Sequence, residues 1–386
     1  MPNFITDSID KPPLPFSSGG CDFLWGVSSK SSDYIMTRCG GEEFFIQIKG
    51  KNNSFLVKGE KISRPSQVIF LQRALEEYAK NASCNIITSN ITPASNRSKV
   101  KNPIIKQIDF FAQNFTFDKE IFLEIGFGSG RHLLHQAKNN PDKLIIGIEI
   151  HKPSIEQAAK QCDILGLKNV VLIDYDSRIL MEFLRSNSLS KIFIHFPVPW
   201  DKKPHRRVIS PYFVDEALRV LKVGGTLELR TDSDMYYAYS LDVFMQNQRC
   251  DIRICKNFDL EISSKYEDRW KRLEKNIYDI TLTNIQPHPQ ISPLSRLDFD
   301  FLNNIDKIAR EFSPKLFRGD DFFVHFEEMH ASGERVVIKT AFGAYERAEH
   351  MFIIIEADKI SYFPNGAYAL KANKKAHEII KKWLNG

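Results

Sequence analysis

The chain has 386 residues, of which 42% are hydrophobic and 26% are charged, and its formal net charge is +5. This length exceeds one ordinary core and predicts more than one domain, and the balance of residues is that of a globular protein rather than a disordered one. Apolar runs such as 351–357 are far shorter than the ~20 residues of a membrane-spanning helix, so we expect no membrane association. The N-terminus lacks a basic start followed by an apolar stretch, which predicts a cytoplasmic protein.

The six cysteines form no CxxC pair and no zinc-ligand spacing. We therefore expect reduced thiols and no metal site.

Residues 1–100 predict a small β-rich domain that ends in a linker. The runs "EFFIQIKG" and "SFLVKGE" alternate in polarity and flank "KNN", which predicts a hairpin. The following "RPSQVIFLQRALEEYAK" has the apolar spacing of a helix. Residues 92–103 are polar, basic and bounded by prolines, as is typical of a linker.

Residues 104–285 alternate short apolar runs with amphipathic ones. "IFLEI" precedes "RHLLHQAKNN", and "LIIGIEI" precedes "SIEQAAKQCDIL". Strands that alternate with helices indicate a parallel sheet covered on both faces. The predicted fold is α/β, with a doubly wound, mostly parallel, Rossmann-like sheet.

A break near "NIQPHPQISPLSR" precedes a third region, residues 290–386. Three strand-like runs, "FFVHFEEMH", "ERVVIKTAF" and "HMFIIIEA", are followed by a helix-like "KANKKAHEIIKKWL". This order predicts a separate α+β domain with an antiparallel sheet.

A glycine-rich loop follows the first strand of the central region. In "FLEIGFGSGRHLL", Gly126, Gly128 and Gly130 lie between a strand and a helix, where a ligand can approach the bare backbone. The spacing is GxGxG rather than the GxGxxG that cradles a dinucleotide pyrophosphate. It therefore disfavours a nicotinamide-dependent oxidoreductase.

Three acidic residues stand at the ends of three successive strands. Glu124 stands beside the glycine loop, where its charge suits an ammonium group. Glu149 ends the second strand, the position that bonds ribose hydroxyls in such folds. Asp176 follows the third strand and can accept from an exocyclic amine such as adenine N6. Each acid alone is compatible with a solvated strand end, but the three together predict S-adenosylmethionine as the cofactor.

The fourth strand leads into a rigid basic loop, "HFPVPWDKKPHRRV". Its prolines restrict the backbone beside the predicted cofactor site. Basic side chains bind phosphates and an aromatic ring stacks on a base, so the loop predicts an RNA partner, with solvated surface charge as the alternative. The predicted substrate-binding residues of the loop are Trp200, Lys202, Lys203, Arg206 and Arg207.

The motifs "EIGFGSG", "GIEIHKP", "FPVPWDKKPHRR" and "RTDSD" resemble those of the bacterial tRNA (guanine-N7)-methyltransferases, in the same order. "SKYEDRWKR" (264–272) is similar to the family's T-x-[FY]-E-x-R signature, with Ser264 in place of threonine. The resemblance covers about 104–285 and leaves the flanking regions without a family motif, as lineage-specific additions. It implies that Glu124, Glu149 and Asp176 contact S-adenosylmethionine.

The resemblance also implies that Lys202, Asp232 and the segment from Ser264 to Glu267 contact the guanosine of tRNA. The family normally has aspartate between the two prolines of the loop, where this chain has Val198. Guanine N7 carries a lone pair and no hydrogen, so an in-line methyl transfer needs no general base. We expect Asp232 and Glu267 to supply the catalytic carboxylates instead.

The sequence is also compatible with two functions other than methylation of tRNA. The chain can be a methyltransferase of another RNA, or a non-catalytic RNA-binding protein in which Val198 marks a decayed site. The oligomeric state, monomer or homodimer, is undetermined by the sequence.

Overall fold

The structure is a computed structural model that describes residues 1–91, 102–113, 117–259, 261, 275–299, 305–333, 335–356 and 359–385. The chain splits into two compact units. One unit is Val100–Ser295, and the other combines Met1–Lys99 with Arg296–Gly386. The flanking regions, which we expected to be two separate domains, thus belong to one unit.

The N-terminal segment contributes seven strands and one helix. They are β1 (Asn3–Thr6), β2 (Phe16–Ser18), β3 (Cys21–Ser28), β4 (Asp33–Cys39), β5 (Glu42–Lys51), β6 (Ser54–Gly59), α1 (Val68–Asn81) and β7 (Ile86–Ser89). The predicted hairpin is the antiparallel pair β5–β6, and the predicted helix is α1.

The central unit alternates strands and helices as predicted. Its strands are β8 (Ile105–Lys106), β9 (Ile121–Ile125), β10 (Leu144–Glu149), β11 (Val170–Asp174), β12 (Leu189–His195), β13 (Leu221–Thr231), β14 (Asp251–Lys256) and β15 (Tyr278–Thr283). Its helices are α2 (Asp109–Gln113), α3 (Arg131–Asn139), α4 (Lys152–Leu165), α5 (Ser177–Phe183), α6 (Pro211–Val220) and α7 (Asp234–Met245).

The C-terminal segment returns to an antiparallel pattern. Its elements are α8 (Ile305–Glu311), β16 (Lys315–Arg318), β17 (Phe323–Ser332), β18 (Arg335–Ala344), β19 (Arg347–Glu356), β20 (Lys359–Phe363) and α9 (Lys371–Asn385).

The sheet of the central unit has the order β14-β15-β13-β12-β9-β10-β11-β8. Strands β9 to β13 run parallel, and β15 pairs antiparallel with β13 and β14. The order reverses between β9 and β12, because β10 lies on one side of β9 and β12 on the other. This is the switch point at which open α/β sheets bind ligands. The predicted doubly wound, mostly parallel sheet is confirmed.

The other unit is built on one twelve-stranded antiparallel sheet, within which β3 pairs with β17. The two segments share a core in which Tyr34 and Phe45 pack against Phe352. Neither segment closes this core alone, which explains why the flanking regions form one unit.

One expectation about cysteines is wrong. The register of β3 and β4 places Cys21 opposite Cys39, and their sulfur atoms are joined in a disulfide. Strand register, rather than a local CxxC spacing, brings the two residues together.

Among the residues that the structure describes, no helix is both long enough and apolar enough to span a bilayer.

Candidate active site

The predicted site residues lie at or just beyond the ends of neighbouring parallel strands. Glu124 on β9 pairs with Gly147 on β10 and Phe193 on β12, and Glu149 pairs with Asp174 on β11. His195 at the end of β12 pairs with Arg230 near the end of β13. Because these strands run in one direction, the glycine loop, the acidic residues and the basic loop lie along one sheet edge.

The glycine loop takes a backbone course that favours glycine. Gly126, Gly128 and Gly130 have φ of 69°, 52° and 74°, in the left-handed region. The space beside Gly126 is open, since a Cβ there would meet nothing within 4 Å. The loop therefore leaves bare backbone exposed at the N-terminus of α3.

Glu149 fastens this loop to β10. Its Oε2 accepts from Gly128 N at 3.1 Å, and its Oε1 accepts from Ile150 N at 2.8 Å and His151 N at 3.0 Å. Each carboxylate oxygen has two lone pairs, so Oε2 can accept one further hydrogen bond. A hydroxyl of a ligand can supply that donor.

Glu124 is buried and paired with a histidine that the sequence analysis does not single out. Its Oε2 lies 2.9 Å from Nδ1 of His132 on α3. The ring of His132 lies 4.4 Å from that of His195, centroid to centroid. The acid beside the glycine loop is thus linked through His132 to the start of the basic loop.

Asp176 caps α5 and binds a cation within its own turn. Its Oδ1 accepts from Arg178 N at 2.9 Å, and its Oδ2 accepts from Arg178 Nη2 at 2.6 Å. The carboxylate is therefore oriented by Arg178 at the strand end where we predict an adenine contact.

The loop after β12 holds two residues in a backbone region that costs energy. Phe196 and Trp200 have φ of 49° and 48°, which costs a residue other than glycine about 1–3 kcal/mol. Between them Val198 is 60% exposed. Strained backbone of this kind persists where the surroundings hold it, and functional sites are the usual places.

Arg207 is part of what holds the loop. Its Nε donates to the carbonyl of Pro199 at 2.8 Å, and its guanidinium carbon lies 4.5 Å from the ring centroid of Tyr239. The side chain is buried. This placement differs from the phosphate contact that we predicted, because the guanidinium is turned into the protein and fixes the loop from inside.

The other basic residues of the loop face solvent. Lys202, Lys203 and Arg206 are exposed, and the Arg206 guanidinium carbon lies 5.1 Å from the ring centroid of Trp200. They present positive charge and an aromatic ring on the surface.

Asp232 follows β13 and is partly buried, with its Oδ2 3.1 Å from Lys275 Nζ. Ser264 and Glu267, the other predicted substrate contacts on this side, lie outside the described residues.

Comparisons with known proteins show which family the chain is similar to. Residues 118–280 match a family model described as a putative methyltransferase. The chain is 39% identical to a tRNA (guanine-N(7)-)-methyltransferase of Campylobacter jejuni, over 100% of this chain and 98% of the relative. It is 39% identical to a protein of the same name from Wolinella succinogenes, over 100% of both chains.

The chain belongs to the tRNA (guanine-N7)-methyltransferase family. Within this family a relative from Helicobacter hepaticus is 35% identical over 98% of both chains. These alignments run through both flanking segments, so these family members have sequence that corresponds to them. Among solved structures, an rRNA methylase from Streptococcus thermophilus aligns with 46% of this chain and 94% of that chain, at 16% identity and a TM-score of 0.32.

In this methyltransferase, two residues that hold predicted site residues in place were not predicted from the sequence. His132 and Tyr239 are missed by the sequence analysis because their partners, Glu124 and Arg207, are set by the packing of different elements. The only sequence signal for His132 is its position in the first turn of the helix after the glycine loop.

Proposed function

We propose that this chain is an enzyme that transfers a methyl group from S-adenosylmethionine to N7 of a guanine in the variable loop of tRNA, in the cytoplasm. One observation carries the proposal. The glycine loop, its carboxylates and the exposed basic loop lie on one edge of the parallel sheet. They do so in a chain that aligns over its whole length with named relatives.

The residues at this edge fit the methyl donor. The left-handed glycine loop leaves open backbone for a ligand, and Glu149 keeps one acceptor position for a ribose hydroxyl. We assign the ammonium group to Glu124 and the adenine amine to Asp176. S-adenosylmethionine, when bound, supplies an electrophilic methyl group on a sulfonium centre.

The basic loop is suited to hold the tRNA. Lys202, Lys203 and Arg206 can bind phosphates, and Trp200 offers a ring for stacking. We assign Arg207 to positioning of the loop rather than to the RNA.

Asp232 and Glu267 are the proposed catalytic carboxylates. Methylation makes the guanine cationic and needs no proton removal at N7, so catalysis depends on alignment and on nearby negative charge. A carboxylate can also accept from the N1–H and N2–H₂ edge of guanine, a donor pair that adenine lacks. Either residue can fill the role of the aspartate that Val198 replaces.

The test is to incubate the protein with labelled S-adenosylmethionine and unmodified tRNA and to map the product. We expect label at guanine N7 in the variable loop. Label at another nucleotide would contradict the proposed target position. If calorimetry finds no binding of S-adenosylmethionine, the proposed methyltransferase activity is contradicted.

A further inference from the structure

The unit formed by Met1–Lys99 and Arg296–Gly386 contains a cavity of about 430 Å³. Lys11, Pro12, Leu14 and Pro15 bound it together with residues of β3 and β4, and Arg335 contributes from β18. Its volume lies in the range of pockets that hold small organic ligands. Nothing in the methyl-transfer site uses these residues.

An aromatic ring and a cation already form a stack at this cavity. The guanidinium carbon of Arg335 lies 5.2 Å from the ring centroid of Trp25. Arg335 Nε donates to Glu356 at 2.7 Å, and its side chain stays 43% exposed. A tryptophan face and a guanidinium plane are surfaces on which nucleobases stack without strong base preference.

A second group of polar atoms lies in the same cavity. Lys11 Nζ is 2.6 Å from Asp33 Oδ2, and the lysine side chain is 52% exposed. Asp33 can accept from the amino group of a base, and Lys11 can reach a phosphate. Asp33 and Glu356 already pair with Lys11 and Arg335, so these carboxylates compete with a phosphate for the two cations. Stacking of the base therefore has to supply most of the binding free energy.

Tyr78 on α1 points to a missing partner. Its side chain is fully buried and lines the cavity, and its hydroxyl has no hydrogen-bond partner among the described residues. A buried hydroxyl without a partner is unfavourable.

We propose that this cavity binds a nucleotide, with the base stacked against the pair formed by Trp25 and Arg335 and the phosphate near Lys11. The source is a nucleotide of the tRNA outside the methylated position, and in that respect the inference rests on the proposed function. A free nucleotide has the same chemistry, and the experiment distinguishes the two sources.

The full chain is compared with Trp25→Ala, Arg335→Ala, Trp25→Phe and Arg38→Ala in filter binding of tRNA at fixed salt. Arg38 is the matched control, because it is 48% exposed and pairs with Glu43 across neighbouring strands of the same sheet. Loss of one stacked base corresponds to a rise in Kd of roughly five- to a hundredfold. We expect about tenfold for Trp25→Ala and Arg335→Ala, little change for Trp25→Phe and none for Arg38→Ala. The Kd for S-adenosylmethionine should stay unchanged.

Titration with AMP and GMP, followed by tryptophan fluorescence, identifies the source. A raised Kd for tRNA in the two alanine variants supports an RNA nucleotide. Binding of AMP or GMP that Trp25→Ala abolishes, with the Kd for tRNA unchanged, supports a free nucleotide. An unchanged Kd for tRNA together with no nucleotide binding overturns the inference. Failure of the unmodified chain to methylate tRNA would instead contradict the proposed function, and the nucleotide titration does not depend on it.

Discussion

Glu124 Oε2 lies 2.9 Å from Nδ1 of His132, and both side chains are buried. Gln136 places its amide nitrogen 3.1 Å from Nε2 of the same ring. With the amide donating to Nε2, the neutral ring carries its proton on Nδ1 and donates it to the carboxylate. His132 therefore fixes the orientation of the acid that we assign to the ammonium group of the methyl donor.

Replacing His132 with alanine should weaken binding of S-adenosylmethionine. The change leaves a buried carboxylate without its donor, a loss of about 1–3 kcal/mol, or roughly five- to a hundredfold in Kd. Calorimetry measures this effect, and the Kd for tRNA should hardly move. His135→Ala, on the same helix and more exposed, is the control. Equal Kd values for the two variants would show that His132 does not position Glu124.

Asp232→Asn should slow methyl transfer without preventing binding of the cofactor. Loss of one charge-assisted contact of about 1.5–3 kcal/mol lowers kcat/KM roughly ten- to a hundredfold. Single-turnover transfer to tRNA measures the chemical step, and Glu267→Gln should behave alike. Asp242→Asn on the exposed side of α7 is the control. Near-normal rates in both Asp232→Asn and Glu267→Gln would show that neither carboxylate takes part in catalysis.

Val198→Asp should restore part of the rate lost in Asp232→Asn. The two positions follow β12 and β13, which are paired neighbours, and Val198 is exposed enough to accept a carboxylate without a folding cost. A double-mutant cycle on kcat/KM measures the coupling. Strictly additive effects would mean that the two carboxylates serve different purposes.

Arg207 and the two lysines of the loop should affect tRNA in different ways. Lys202→Ala combined with Lys203→Ala should lower the slope of log K against log salt by about 1–2, as for two lost phosphate contacts. Arg207→Lys should lower kcat/KM by releasing the loop, because lysine cannot reproduce both the bond to Pro199 and the contact with Tyr239. Salt titrations of binding distinguish the two. If the salt slope falls equally in the double lysine variant and in Arg207→Lys, Arg207 contacts the RNA rather than only positioning the loop.

His195 should make the methyltransferase unit less stable in acid. Burial lowers the pKa of its imidazole well below the usual value, and the positive charge of Arg230 lowers it further. In the unfolded chain the imidazole of His195 takes up a proton below about pH 6.5, whereas in the folded protein the same ring stays neutral. The free energy of unfolding therefore keeps its full value above about pH 6.5. It falls as the pH is lowered further, by up to about 1.4 kcal/mol per pH unit.

The measurement is the urea midpoint at pH 7.5 and pH 5.5. His195→Phe should reduce the difference between the two midpoints, and the exposed His205→Phe should not. Identical pH dependence in the two variants would exclude His195 as the source.

Local pattern was sufficient to predict the parallel strands of the central sheet, but not its edge strands β8, β14 and β15. Strands β9 to β12 are mostly apolar runs, and Gly166 ends α4 in the left-handed conformation that a helix stop requires. The sites at the carboxyl ends of β9 to β13 follow from that pattern, because parallel strands share one edge.

Contacts between distant parts of the chain were not predictable in this way. The burial of Arg207 depends on Tyr239, which lies on α7. The pairing of β3 with β17 joins residues about three hundred positions apart, and no periodicity within either run indicates it. The disulfide between Cys21 and Cys39 likewise depends on strand register.

The shared sheet of the flanking segments has a consequence for synthesis on the ribosome. Strands β1 to β7 emerge first, but β17, the partner of β3, is translated only after all of Val100–Ser295. Until then Tyr34 and Phe45 lack their packing against Phe352, and one edge of the N-terminal strands is open. The methyltransferase unit, whose sheet is built from strands of its own segment, can finish folding earlier. The last part of the chain to be made thus completes the part that was made first.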